Sequence, residues 1–200
     1  MNSGFAPKFH ERGYYMKTDL LFLVASFLVC ALLFQCGKEG NSQVSGGADV
    51  GSINVTSTAF GDGAMIPKKY TCDAQNISPQ IAWTGVPAGA KSIALICDDP
   101  DAPVGDWVHW VVYNMPVSTK ELAEGVQSLP AGSKSGTNGF RKPGYGGPCP
   151  PSGVHRYYFK IFALDAALSL AEGATKAQLL KAMEGHIVAQ GALMGKYKRQ

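Results

Sequence analysis

Apolar residues alternate with polar ones in several short stretches of this chain, and turns rich in glycine and proline separate the stretches. A period of two is the mark of strands that turn one face to a core. SINVTSTAF (52–60) carries β-branched residues at that period and is expected to form the first strand. A short strand, QIAW, should follow and end at Trp83. SIALICD (92–98) is an unbroken apolar run, which implies a strand buried on both faces. WVHWVVYNM (107–115) reads as another strand. Strict alternation would place Val108, Trp110 and Val112 on one face, with Trp107, His109, Val111 and Tyr113 on the other. VHRYYFKIFALD (154–165) and HIVAQGALMGKY (186–197) complete the set, the glycines of the latter marking bulges or close contacts. One helix is expected, Thr175 to Glu184. Thr175 and Gln178 form a capping box, Leu179, Leu180 and Met183 supply an apolar stripe, and Gly185 ends it. Many strands and one late helix predict a mainly β domain, an antiparallel β-sandwich with few peripheral helices.

The first 51 residues break this pattern. Leu20 to Phe34 is an uninterrupted run of apolar or small residues, preceded by Lys17, and shorter than the ~20 residues a membrane-spanning helix needs. It fits the apolar core of a signal peptide covering residues 1–35, with Met16 a candidate start of translation. Leu33-Phe34-Gln35-Cys36-Gly37 resembles a bacterial lipobox, with Cys36 as the lipidated residue and Gln35 in place of the usual small residue. Plain secretory cleavage and an uncleaved anchor are the alternatives. Residues 36–51 are polar and rich in glycine and serine, so they read as a flexible tether ahead of a folded domain at 52–200. These features predict an exported protein, periplasmic or held to a bacterial membrane by an N-terminal lipid.

Charge adds little. The chain carries 18 Lys and Arg against 15 Asp and Glu, without a basic stripe, which removes support for a nucleic-acid partner. Export would permit disulfides. Cys97 lies in the apolar run and reads as a buried thiol, whereas Cys72 and Cys149 lie in turn-rich segments and are the candidate pair.

Two histidines carry the chemistry. His109 sits mid-strand between Trp107 and Trp110, and His155 opens a strand directly after Pro150-Pro151-Ser152-Gly153. A single histidine in an apolar strand is usually a core residue; two, each beside a proline-rich loop, point to a site. Protonated imidazoles donate from both nitrogens and titrate near neutrality, which suits a phosphate or carboxylate guest. Tyr157 shares the strand face of His155 and adds a hydroxyl, while Gly146, Gly147 and Gly153 would let backbone amides approach an anion. Asp99 and Asp101 would repel an anion directly, so they are expected to orient a histidine or shape the loop, an Asx-turn being the simpler reading for Asp101.

Asp99-Pro100-Asp101-Ala102-Pro103, Trp107-Val108-His109-Trp110 and Gly153-Val154-His155-Arg156-Tyr157 resemble the two signature blocks of the phosphatidylethanolamine-binding protein family, also called the Raf kinase inhibitor-like proteins. Asn76-Ile77-Ser78-Pro79 leading to Trp83, and Tyr145 to Pro151, support the resemblance, which spans roughly 52–198 and is closer to the bacterial branch. It implies a β-sandwich with a shallow pocket for phosphate-like headgroups or other small anions, formed here by Asp99, Asp101, Trp107, His109, Pro151, His155 and Tyr157. It implies neither a metal nor a cofactor, and no catalytic residue. The spacing from Pro-Pro to His is shorter than in animal members, and the chain lacks their C-terminal helix. Modulation of a protein partner, as an inhibitor of a kinase or protease acting through loop 131–153, is the alternative. A metal-dependent enzyme would use Asp99, His109 and His155 as a triad, without the spacing of a metal motif. A serine hydrolase has only Ser152 near His155 and no nucleophile elbow.

Overall fold

The computed structural model describes residues 50–199. The signal-peptide and Cys36 readings lie outside these residues, as does the tether except for Val50 and Gly51. The strands, in chain order, are β1 (Gly51–Ser52), β2 (Asn54–Thr56), β3 (Ile81–Thr84), β4 (Ser92–Asp99), β5 (Trp107–Met115), β6 (Glu121–Leu122), β7 (Lys134–Ser135), β8 (His155–Leu164) and β9 (Ile187–Tyr197); α1 (Lys176–Met183) falls between β8 and β9. They make a mainly β fold of two sheets, one ordered β1-β9-β8-β4-β5-β7 and the other β2-β3-β6. Neighbours pair antiparallel, except that β1 runs parallel to β9.

β4 is the centre of the large sheet, and all eight of its residues are buried. Its continuous apolar run needs cover on both faces and finds it. Ile93, Leu95 and Cys97 pack with Trp110, Val112, Phe159 and Ile161 against Val55, Ile81, Trp83 and Leu122 of the small sheet. Ala94 and Ile96 face the other way, with Val111, Tyr113, Phe162 and Leu164, beneath Leu179 and Met183 of α1. Burying each of the large side chains contributes about 1.5–3 kcal/mol. The helix begins as its sequence dictates: Gln178 N donates to the Thr175 hydroxyl, and the Gln178 side chain accepts from Thr175 N.

The expected first strand divides in two. Gly51–Ser52 pairs with β9, Ile53 N donates to Gln190 O at 2.9 Å, and Asn54–Thr56 then pairs with β3. This hand-over requires Gly191, because a Cβ there would lie 1.8 Å from the Ile53 carbonyl oxygen. Gly191 therefore marks a close contact and not a bulge. Gly191→Ala should destabilise the domain by ~2–3 kcal/mol, through forced displacement of backbone. Urea unfolding checks this, and a loss below ~0.5 kcal/mol would mean that the crossing can relax.

The register also corrects the faces of β5. Cys97 pairs with Trp110 and Asp98 with Val108, so His109 is an extra residue between them. This bulge puts Trp107 and His109 on the side of Trp110 and Val112, while Val108 joins Val111 and Tyr113 on the helix side. Re-aiming one side chain is what a bulge does. Here the side chain is a histidine.

Candidate functional site

Asp98 and Asp99 end β4 on opposite faces. On the helix side, the buried Asp98 Oδ2 accepts from Lys160 Nζ at 2.7 Å and from Lys176 Nζ at 2.5 Å, and Lys176 also pairs with the more exposed Asp106. On the opposite face, Asp99 Oδ2 accepts from His155 Nδ1 at 2.7 Å, both side chains being buried. Asp99 Oδ1 accepts the backbone N–H of Asp101 at 2.9 Å, an Asx-turn that folds the proline-rich loop back. Both oxygens of Asp99 are thus engaged in holding His155 and the loop.

His109 is oriented from the other side. Its Nδ1 donates to the Gly146 carbonyl at 2.6 Å, and Gly146 N donates back to His109 O at 2.9 Å. Burial is the largest influence on this imidazole and lowers its pKa below the usual 6.5, against the raising effect of the Gly146 carbonyl. His109 is accordingly neutral near pH 7, with Nδ1 protonated and Nε2 left as a lone pair.

The two rings line one cavity of about 300 Å³, together with Asp99, Trp107, Phe140 and Pro151. Its remaining wall comes from the 102–104 loop and Cys149-Pro150. The walls are mostly apolar, and among the described residues no lysine or arginine lines it. Five of the seven residues expected from the sequence therefore meet here. Asp101 and Tyr157 do not line the cavity. Asp101 is held by Arg156, through Nε at 2.8 Å, Nη2 at 2.6 Å and the backbone N–H at 2.9 Å. The Arg156 hydrogen bond is the main reason its carboxyl is lowered to about 2. Tyr157 lies fully buried behind His109, ring centroids 5.1 Å apart and edge-to-face. Burial and the Asp99 charge push its hydroxyl well above the ordinary phenol range.

The glycine amides are also corrected. Gly147 N donates to Asn76 Oδ1 at 2.7 Å and Gly146 N to His109 O, so neither amide is open to an anion. These glycines serve close packing: a Cβ on Gly146 would meet the Phe140 ring at 2.6 Å, and one on Gly147 would meet the Tyr70 carbonyl at 2.5 Å. Gly153, at φ +70°, serves the turn before β8 and does not line the cavity.

Phe140 is the wall residue that sequence reasoning missed. Its ring lies edge-on to both Trp107 and His109, at centroid distances of 5.5 and 5.8 Å. Asn138 positions it, with Oδ1 accepting Phe140 N at 3.0 Å and Lys142 N at 3.2 Å, and Nδ2 donating to Gly144 O. The only local signal is Thr137-Asn138-Gly139, a turn-forming triplet ahead of a lone aromatic residue.

A phosphatidylethanolamine-binding protein family model matches residues 56–198. The chain belongs to that family. The UPF0098 protein of Methanothermobacter thermautotrophicus is 52% identical over 150 residues, covering 74% of this chain and 99% of the relative. That of Aquifex aeolicus is 50% identical over 152 residues, covering 74% of this chain and 89% of its own length. Among solved structures, the family homologue of Chlamydia trachomatis is 47% identical with a TM-score of 0.71, and YbcL of Escherichia coli 31% identical with a TM-score of 0.70; each comparison covers 74% of this chain and 99% of the other. The matched region contains every residue of the His109–His155 cavity. The family model and the Chlamydia trachomatis structure carry the name phosphatidylethanolamine-binding protein.

Proposed function

We propose that this family member binds small oxyanions, phosphate-like headgroups among them, in the His109–His155 cavity and without catalysis. One observation carries the reading: both rings spend Nδ1 on a protein acceptor, Asp99 for His155 and Gly146 O for His109, and leave Nε2 for a guest in a shared cavity. Fixing one nitrogen sets ring orientation and leaves the other for the ligand. With no lysine or arginine in the lining, the guest must either bring a proton or cause one to be taken up at His109 Nε2. The apolar wall of Trp107, Phe140 and Val104 favours a guest whose oxyanion carries an apolar substituent.

The geometry does not favour the metal-triad alternative, because both Asp99 oxygens are engaged by His155 and Asp101 N. Thermal melts with inorganic phosphate, phosphoethanolamine and zinc in separate arms test the reading. Either phosphorylated ligand should raise Tm, and the rise should vanish in His109→Ala and His155→Ala. Stabilisation by zinc alone would replace the oxyanion reading with a metal site. The signal-like N-terminal segment supports, in our reading, export of the domain and a tether from Cys36; mass spectrometry of the mature N-terminus distinguishes lipidation from plain cleavage.

Phe140 sets the size of the guest. In Phe140→Ala, phosphate should bind within about threefold of the parent, since the histidines are untouched, while bulkier phosphomonoesters should gain relative to phosphate. Calorimetric titration of the two ligand sizes reads this directly. An unchanged ratio would mean that the ring does not limit the cavity.

A further inference from the structure

Cys72 and Cys149 are joined by a disulfide whose Cα atoms are 5.4 Å apart. Cys149 is exposed, and the residue lines the ligand cavity alongside Pro150 and Pro151. On one side of this wall, Pro148 O accepts Cys72 N at 3.1 Å; on the other, β8 begins with His155 paired to Tyr197. Between them, no hydrogen bond ties residues 149–154 to the rest of the described residues. The disulfide is therefore the anchor of the proline wall.

We propose that the Cys72–Cys149 disulfide is a redox control on the His109–His155 cavity, the bridged form holding the 149–153 wall in place and the reduced form binding oxyanions more weakly. This inference rests on the oxyanion reading of the cavity. The reductant is a dithiol. One of its thiolates attacks Sγ of Cys149, the S–S bond breaks, and Cys72 leaves as a thiolate that takes up a proton. The second thiol of the reductant then displaces Cys149, giving two protein thiols and one oxidised dithiol, with two electrons transferred. Cys97, the free cysteine among the described residues, is buried and its thiol is pushed up by burial, so it takes no part in the exchange.

Three contacts survive reduction: Cys72 N to Pro148 O, Gly147 N to Asn76 Oδ1, and Tyr145 Oη to Tyr70 O at 2.9 Å. They keep Gly146 against His109, so the effect is a graded loss of affinity and not loss of the site. Coupling of this kind is reciprocal. A ligand that prefers the bridged form tenfold must make the bridge harder to reduce by the same factor, ~30 mV for a two-electron couple.

The experiment titrates the purified full chain with inorganic phosphate, oxidised and after dithiothreitol, with near-ultraviolet circular dichroism to confirm that the fold persists. Cys72→Ser/Cys149→Ser is titrated alongside. The expected result is roughly tenfold weaker phosphate binding by the reduced chain and by the double variant. The Cys72–Cys149 potential should also shift negative by ~30 mV at saturating phosphate. Equal affinity in both redox states, within twofold, overturns the inference and leaves the cavity reading standing. Unfolding on reduction overturns it too, since the bridge would then be structural. Failure of phosphate to bind in either state removes the cavity reading, and this inference with it.

Discussion

Replacing Asp98 with alanine is expected to destabilise the domain by about 3–5 kcal/mol, the range for removing one partner of a buried ion pair. Asp98 is fully buried, and two ammonium groups converge on its Oδ2. Lys176 has only 15% of its side chain exposed, so it cannot simply turn to water. It retains Asp106, whose carboxylate is 47% exposed and screened by solvent, so that pair compensates weakly. Lys160, 35% exposed, loses its acid but reaches solvent more easily. Two comparisons isolate the cause. Asp106→Ala should cost no more than ~1 kcal/mol, as expected of a surface pair. Asp98→Ala combined with Lys176→Met should recover part of the loss, because the stranded charge is gone. Denaturant unfolding of these three variants and the parent, with Lys176→Met alone to complete the Asp98–Lys176 cycle, makes the comparison. A loss below ~1 kcal/mol for Asp98→Ala would show that water reaches this cluster and that it does not secure the end of β4.

The second large effect concerns ligand affinity and pH. The pKa of His109 is lowered by burial in the empty protein, and an oxyanion beside Nε2 favours the protonated ring, so binding takes up a proton. The sign follows. Affinity is highest below the lowered His109 pKa, where the ring is already charged, and falls as pH rises above it. The slope approaches tenfold per pH unit for one proton, until the raised pKa of the complex is passed. Sulfate is the suitable probe, since its own charge is constant over this range. Replacing His109 by glutamine should flatten the profile and weaken binding at low pH by roughly ten- to a hundredfold, the worth of a charge-assisted hydrogen bond at ~1.5–3 kcal/mol. A pH-independent sulfate affinity in the parent would contradict the proton uptake. The same shift affects stability without ligand: the unfolded chain binds more protons between the lowered pKa and about 6.5, so stability rises with pH across that window.

What could be read from the sequence was local. β4 and β8 are long runs whose patterns survive folding, β5 is legible as a strand though not in its faces, and the Thr175–Gln178 capping box needs only neighbouring residues to form. His109 and His155 were legible as a pair because each adjoins a loop dense in glycine or proline. The bulge at His109 was not, because it exists only in the pairing of β5 with β4, and one inserted residue inverts the faces that alternation assigns. The division of the first strand at Ile53 likewise depends on Gly191, distant in sequence. Gly146 and Gly147 looked like open amide donors because their hydrogen-bond partners, His109 O and Asn76 Oδ1, come from other parts of the chain. Phe140 belongs to a segment without periodicity, organised by the Asn138 side chain and by bonds to distant backbone such as Gly139 N to Val108 O. Local pattern therefore located the two histidines. Only the folded surroundings show that one of them is buried, which lowers its pKa.

The central claim is that the two Nε2 atoms receive the guest, and side-chain ¹⁵N spectra of the histidines during a sulfate titration near pH 7 test it most directly. Before sulfate, the His109 signals should be those of a neutral ring protonated at Nδ1. At saturation, Nε2 of His109 should acquire a proton, and the His155 signals should move along the same binding curve. Saturation by sulfate with both histidine spectra unchanged would place the anion elsewhere and contradict the account.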